Sequence, residues 1–261
     1  MTPLRDAAGV EHAPAGDGAR IVSLVPSITE LLFDLDLAPV GRTAFCVHPK
    51  DRVREARSIG GTKTVNMDKL AALDATHVVV NIDETPRELA DTLAAQSLEV
   101  IVTHPVQVAD NLGLYRLMGG LFGREAAAEA LCARFQAAYD SVTARDWPDR
   151  KAAYLIWKDP WMTVSRDTYI SRMLALAGID TLCWVGGDRY PRLDWTDDLI
   201  AGLDLILLAT EPFPFTADHL AAFIAAHPAA EGKARLVDGE MISWYGSRAV
   251  AGLGYLEREF T

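Results

Sequence analysis

The stretch RIVSLVPSITELLFDL, residues 20–35, decides the fold. Arg20-Ile21-Val22-Ser23-Leu24-Val25 is a short apolar run that stops at Pro26, and its length and β-branched content read as a buried strand. Ser27-Ile28-Thr29-Glu30 then has the spacing of a capping box, with Ser27 capping and Glu30 reaching back, ahead of the apolar turn Leu31-Leu32-Phe33. A strand that passes at once into a helix is the unit of an α/β protein.

The same alternation continues downstream. Val40–Thr43, His77–Asn81 and Val100–Thr103 read as strands, with helices at Met67–Leu73 and Pro86–Gln96 between them. Such units form parallel sheets with right-handed crossovers. From Val106 to Trp147 there is no proline and no β-rich run, and Leu131, Phe135, Ala138 and Val142 fall near one helical face of Arg124–Arg145. After Pro148 the pattern resumes, with strands at Ala152–Trp157, Leu205–Ala209 and Arg235–Val237 and helices at Thr168–Ala177, Asp197–Ala201, Ala217–Ala226 and Ser247–Glu259. The expected organisation is a flexible tail over residues 1–19, an α/β lobe over 20–105, a helical linker over 106–147 containing the long helix 124–145, and a second α/β lobe over 148–261.

Composition narrows the function. With 261 residues, half of them hydrophobic, the chain is long enough for a real core. A formal net charge of −11 and a pI of about 5.0 oppose nucleic acid or an anionic membrane as partner, because both demand clustered Lys and Arg. No apolar run of some 18 residues is present, so membrane insertion is not expected. The stretch before Arg20 carries Asp6, Glu11 and Asp17 and no apolar segment, which does not read as a secretory signal. The chain as written is therefore expected in the cytoplasm, and in the periplasm if its start lies upstream. Three cysteines, Cys46, Cys132 and Cys183, without CxxC spacing imply no disulfide framework.

Motifs for hydrolase, nucleotide, metalloprotease or dinucleotide chemistry (GxSxG, P-loop, HExxH, GxGxxG) are missing, which argues against an enzyme. Cys46 and His48 fall on one side of an extended chain and are the best metal-ligand pair. Two ligands make an incomplete site, and a buried Cys beside a loop His is the plainer alternative. Gly60-Gly61-Thr62-Lys63 lacks the rest of a phosphate loop and reads as a turn that leaves Lys63 near a strand end.

Binding residues are expected where strands end. Trp157 and Trp161 in IWKDPWMT (156–163) and Trp244 and Tyr245 in DGEMISWYGSR (238–248) sit in loop-like stretches, and their polar neighbours favour an exposed position over the core. Asn81 and Glu84 follow one strand, Glu211 and Phe213 another. Trp147, Trp184 and Trp195 are left to packing.

Five segments carry a resemblance: RIVSLVPSITELLFDL, VGRTAFCVHP (40–49), GGTKTVNMDKLAAL (60–73), YLIWKDPWMT (154–163) and LVDGEMISWYGSR (236–248). Together they resemble the helical-backbone substrate-binding proteins of ABC importers, most of all the cobalamin-binding branch. The resemblance implies two Rossmann-like lobes with parallel sheets joined by one long helix, a macrocyclic ligand such as cobalamin or another corrinoid, no catalytic cofactor, and a monomer that works with an ABC permease. It points to Trp157, Trp244 and Tyr245 as aromatic contacts and to His48 as an N-lobe contact. Phe45, Lys63, Asn81, Glu84, Trp161, Glu211, Phe213 and Arg248 complete the candidate set. The paired glutamates that dock the family to its permeases have their counterparts in Asp68 and, in the second lobe, Thr196 or Asp197. A ferric siderophore or haem receptor is the alternative within binding, and an enzyme or metal-chelate handler built on Cys46 and His48 is the alternative outside it.

Overall fold

The computed structural model describes residues 4–16, 18–182 and 187–261, so Cys183 and Trp184 lie outside the described residues. The chain divides into two compact units. Unit 1 comprises the chain up to Pro105, Ala109–Phe135 and the short segment Tyr245–Arg248. Unit 2 comprises Val106–Val108, Gln136–Trp244 and Ala249–Thr261.

Unit 1 contains β1 (Ile21–Ser23), α1 (Pro26–Asp34), β2 (Gly41–Arg42), β3 (Arg57–Ser58), α2 (Met67–Ala71), β4 (His77–Asn81), α3 (Arg87–Ala94), β5 (Glu99–Thr103) and α4 (Asp110–Leu121). Its sheet has the order β3-β2-β1-β4-β5 with every pair parallel. Strands buried on both faces read as unbroken apolar runs, and Val78, Val79 and Val80 of β4 show this. Val22, Leu24, Val78 and Val80 meet Leu70, Leu73 and Leu93 from the covering helices in one core cluster.

The helix α5 (Glu125–Thr143) begins in unit 1 and ends in unit 2. Its 19 residues span about 28 Å. Unit 2 then holds β6 (Arg150–Trp157), β7 (Met162–Thr163), α6 (Tyr169–Ala175), β8 (Ile179–Thr181), α7 (Asp197–Ala201), β9 (Leu205–Ala209), α8 (Ala217–Ala226), β10 (Ala234–Val237), α9 (Gly239–Ser243) and most of α10 (Arg248–Phe260). The order is β10-β9-β6-β7, with β8 also on β6. The long β6 serves two partners on one side: residues 150–152 run parallel to β8, whereas Leu155 and Trp157 run antiparallel to β7.

Three expectations are corrected. The capping box at Ser27 and Glu30 does not form. Helix α1 starts earlier with Pro26 at its first position, after Val25, and Glu30 pairs instead with Arg248. Proline already fixes the helical φ and lacks the N–H that a cap would satisfy. The region before Arg20 is not a loose tail, since Asp6 and His12 are buried and residues 4–15 hydrogen-bond to β5 and α4. The segment around Trp244 is not all loop, because Asp238 caps the short helix α9 by accepting from Met241 N.

Candidate functional site

In an open parallel sheet the ligand crevice lies at the carboxyl ends of the two strands where the winding reverses. In unit 1 those strands are β1 and β4, since the chain winds from β1 to β2 and β3 and then resumes on the other side at β4. Behind β4 stand Ile82, Asp83 and Glu84, and behind β2 stand Phe45 and Val47. Ile82 is 49% exposed and Phe45 61%. Phe45 rests over Gly61, whose absent Cβ would lie 3.4 Å from the ring edge. His48 is half-buried in the same loop, and Lys63 is exposed beyond Gly61.

Asn81 is buried and shapes this edge from below. Its Oδ1 accepts from Asp83 N at 2.8 Å and its amide nitrogen donates to Thr103 Oγ1 at 3.4 Å. Asp83 in turn lies 3.5 Å from His104 Nε2, a residue the sequence reading passed over although it follows β5 as Ile82 follows β4. Glu84 accepts the Tyr245 hydroxyl at 2.8 Å.

That last bond belongs to a clasp. Residues 245–248 are held within unit 1 by Gly246 N donating to Asn111 Oδ1 (2.7 Å), Tyr115 Oη donating to Gly246 O (2.8 Å), and Arg248 donating twice to Glu30 (2.8 and 2.5 Å). Gly246 has φ of +79° and approaches Ser27 O so closely that a Cβ would stand 3.0 Å away, so only glycine fits without strain. Trp244 and Tyr245 are each only 7% exposed, which corrects the expectation of open aromatics. Burial and the neighbouring Glu84 push the Tyr245 hydroxyl far above its ordinary pKa, so it stays a donor. Arg248 likewise has its guanidinium committed to Glu30.

In unit 2 the reversal falls between β6 and β9. Trp157 ends β6, is 44% exposed, and meets half-buried Phe213 edge-to-face at 5.4 Å. Phe213 is backed by Phe215 at 4.6 Å and His219 at 5.3 Å. Trp161 is placed differently. Partly buried, it stacks parallel on Phe215 at 5.8 Å and meets Phe223 edge-on at 5.4 Å, packed against the hydrophobic cluster of the unit. Glu211 follows β9, and its Oε2 accepts from Ser243 Oγ at 3.1 Å. Burial, the dominant cause, pushes its carboxyl pKa up. Gly239 permits this packing, since a Cβ there would lie 2.6 Å from Glu211 N and O.

Cys46 does not suit metal ligation. It is 1% exposed, its Sγ accepts from Thr29 Oγ1 at 3.0 Å and lies 3.2 Å from Thr43 Oγ1, and burial pushes its thiol pKa up. A protonated, enclosed thiol is neither nucleophile nor ligand. Among the described residues, no group of three or more His, Cys, Asp or Glu is placed to hold a metal ion.

The expected docking residues are both exposed. Asp68 lies in the first turn of α2, capped by Asn66, and Asp197 in the first turn of α7, capped by Thr196. Each helix feeds the strand that pairs with the first strand of its unit.

Two α/β units with aromatic and apolar side chains at the reversal points of parallel sheets define a class of two-lobed binding proteins. The comparisons agree. The family described as periplasmic binding protein matches residues 21–232, and the chain belongs to it. Among solved structures, the heme-binding protein RhuT of Roseiflexus sp. RS-1 is 21% identical, with a TM-score of 0.79, over 93% of this chain and 97% of its own. The vitamin B12 binding protein BtuF of Vibrio cholerae is 15% identical, with a TM-score of 0.76, over 92% and 96%. IsdE of Staphylococcus aureus, solved with heme, is 17% identical, with a TM-score of 0.75, over 93% and 98%. At these identities the likeness shows the shared fold. No curated protein matches the sequence closely. No helix among the described residues is long and apolar enough to cross a membrane.

Proposed function

We propose that this protein is a non-enzymatic binding protein for a corrinoid, cobalamin or a close relative, and that it hands the ligand to an ABC permease. The observation that carries the reading is the placement of apolar exposure. Of the five large hydrophobic side chains exposed among the described residues, Phe45, Val47, Ile82 and Trp157 stand at carboxyl ends of parallel strands. Scattered exposed hydrophobics are ordinary, but their concentration at the carboxyl edge of each sheet, where such sheets bind ligands, is not. A broad, largely apolar ring suits these faces.

Charge supports a corrinoid over an anionic chelate. The carboxyl edges carry Asp83 and Glu84 in unit 1 and Asp159 in unit 2, while Lys158 lies 3.8 Å from Asp159 and Arg248 is bound to Glu30. Haem propionates or a ferric siderophore would meet Asp83, Glu84 and Asp159 there, with Lys63 the exposed cation among the candidate residues, an unfavourable balance that disfavours anionic ligands. Neutral amide side chains on a corrin would find acceptors instead. Haem is the second reading, favoured by the likeness to RhuT and IsdE and by His48 and His104 near the unit 1 edge. Titration of the purified protein with cyanocobalamin, haemin and a ferric catecholate, followed by tryptophan quenching and calorimetry, separates the readings. Binding of cobalamin alone supports the corrinoid, and binding of haemin alone overturns it.

Docking would use Asp68 and Asp197. Both are one methylene shorter than the glutamates of the family, so the complex is expected to be weak and salt-sensitive.

A further inference from the structure

We propose that residues 4–15 form an edge-capping strap, locked by Asp6, that keeps the outer edge of β5 from pairing with a second copy of this chain. Strand β5 is last in the order of its sheet. Glu99 N donates to Thr76 O and Thr103 O accepts from Ile82 N, so those residues turn their polar groups toward the β4 side. By alternation, Val102 turns outward.

Both outward groups of Val102 are taken by the strap. Its N–H donates to Asp6 Oδ2 at 3.0 Å and its carbonyl accepts from Ala7 N at 2.9 Å. The other carboxylate oxygen, Oδ1, accepts from Ala8 N and Val10 N at 2.9 Å each, curling the loop that the Arg5–Glu11 bridge closes. One carboxylate thus accepts three backbone N–H groups. His12 is buried beside it, with Nε2 3.1 Å from Asp6 Oδ2 and Nδ1 2.6 Å from Glu99 Oε1. Two further contacts anchor the segment to α4. Ala15 N donates to Leu121 O at 2.7 Å, and Leu4 occupies the space over Gly120, where a Cβ would lie 2.5 Å from Leu4 Cδ2.

The need for a cover is written in β5 itself. Glu99-Val100-Ile101-Val102-Thr103 has three β-branched aliphatics, no proline and no lysine. Edges are ordinarily guarded by such residues. The single charge, Glu99, faces His12. An uncovered strand of this composition is a template for edge-to-edge pairing.

The test uses the full chain with a specific protease site placed between Gly16 and Ala19, the Asp6→Ala variant, and amide exchange read by mass spectrometry. The intact chain is expected to be monomeric with a slowly exchanging Val102 amide. Asp6→Ala is expected to speed exchange there at least about tenfold and to hasten tryptic cleavage after Arg5. Cutting and removing the strap is expected to give dimers, and Val100→Lys in the strap-free protein to restore the monomer, a rescue that mere unfolding would not show. A strap-free protein that stays folded and monomeric overturns the proposal. So does unchanged Val102 exchange in Asp6→Ala, a variant that keeps the whole chain.

Discussion

Trp157 and Trp161 are four residues apart and have opposite fates. Trp157 ends a strand at the carboxyl edge and keeps nearly half its surface open, whereas Trp161 stacks on Phe215 and meets Phe223 edge-on. On the proposed reading, Trp157→Ala is expected to weaken binding of the corrinoid by about 1–3 kcal/mol with little effect on melting, judged from the area an aromatic buries. Trp161→Ala is expected to cost about 2–3 kcal/mol of stability, below the value of a fully buried aromatic because the ring is only partly covered. Calorimetric titration and chemical denaturation of the two variants check both statements. Polar neighbours made the two residues look alike in sequence. Burial is a tertiary property, set here by Phe215 and Phe223, more than fifty positions away. The same holds for Tyr245, whose buried hydroxyl is spoken for by Glu84.

Glu211 gives a pH prediction at this scale. Burial raises its folded pKa above the unfolded one, so protonation favours the fold. Its contribution is fully present below the unfolded carboxyl value and is lost as pH rises through the folded value. Glu211→Gln is expected to flatten the fall of stability above about pH 4.5, the ordinary carboxyl value. A slope identical to that of the parent protein in melts from acid to neutral pH would contradict this.

Among elements, strand and helix alternation was legible from residues 20–35 onward, and β4, α7, β9 and α8 fall where periodicity and end signals put them. Short elements were not. β3, β7, β8 and α9 carry too few residues for a period to show; β7 and β8 form on the long β6, β3 pairs the equally short β2, and α9 is started by the Asp238 cap. Helix α4 was hidden inside a linker by its three glycines. One of them is a contact surface: a Cβ on Gly119 would lie 2.5 Å from Ala128 Cβ and 3.1 Å from Arg124 O. Gly119→Val is expected to destabilise the protein by about 1–3 kcal/mol through overpacking, measurable by urea unfolding. The clasp offers a second test. Arg248→Ala strands Glu30 in a mostly buried site and is expected to cost about 3 kcal/mol or more, with Glu30→Gln in the same background recovering part of the loss.

For the whole molecule, the two-lobed plan with a helix running from one unit into the other was legible because each level of the sequence agreed: alternation, a β-free middle, and alternation again. The strap was not, since Ala, Gly and Pro in the first nineteen residues look like a solvated tail, and only the β5 edge explains their order. At this scale the proposed docking through Asp68 and Asp197 predicts that Asp68→Glu with Asp197→Glu strengthens a complex with the permease, and that the gain fades as salt is raised.

On the proposed reading, acidic, aromatic strand ends hold a neutral macrocycle. The most direct measurement is a side-by-side calorimetric titration of the unmodified protein with cyanocobalamin and with haemin at neutral pH. Cobalamin is expected to bind at least about tenfold tighter, a difference of about 1.4 kcal/mol. Haemin binding tighter than cobalamin, or no heat from cobalamin at all, would contradict the account.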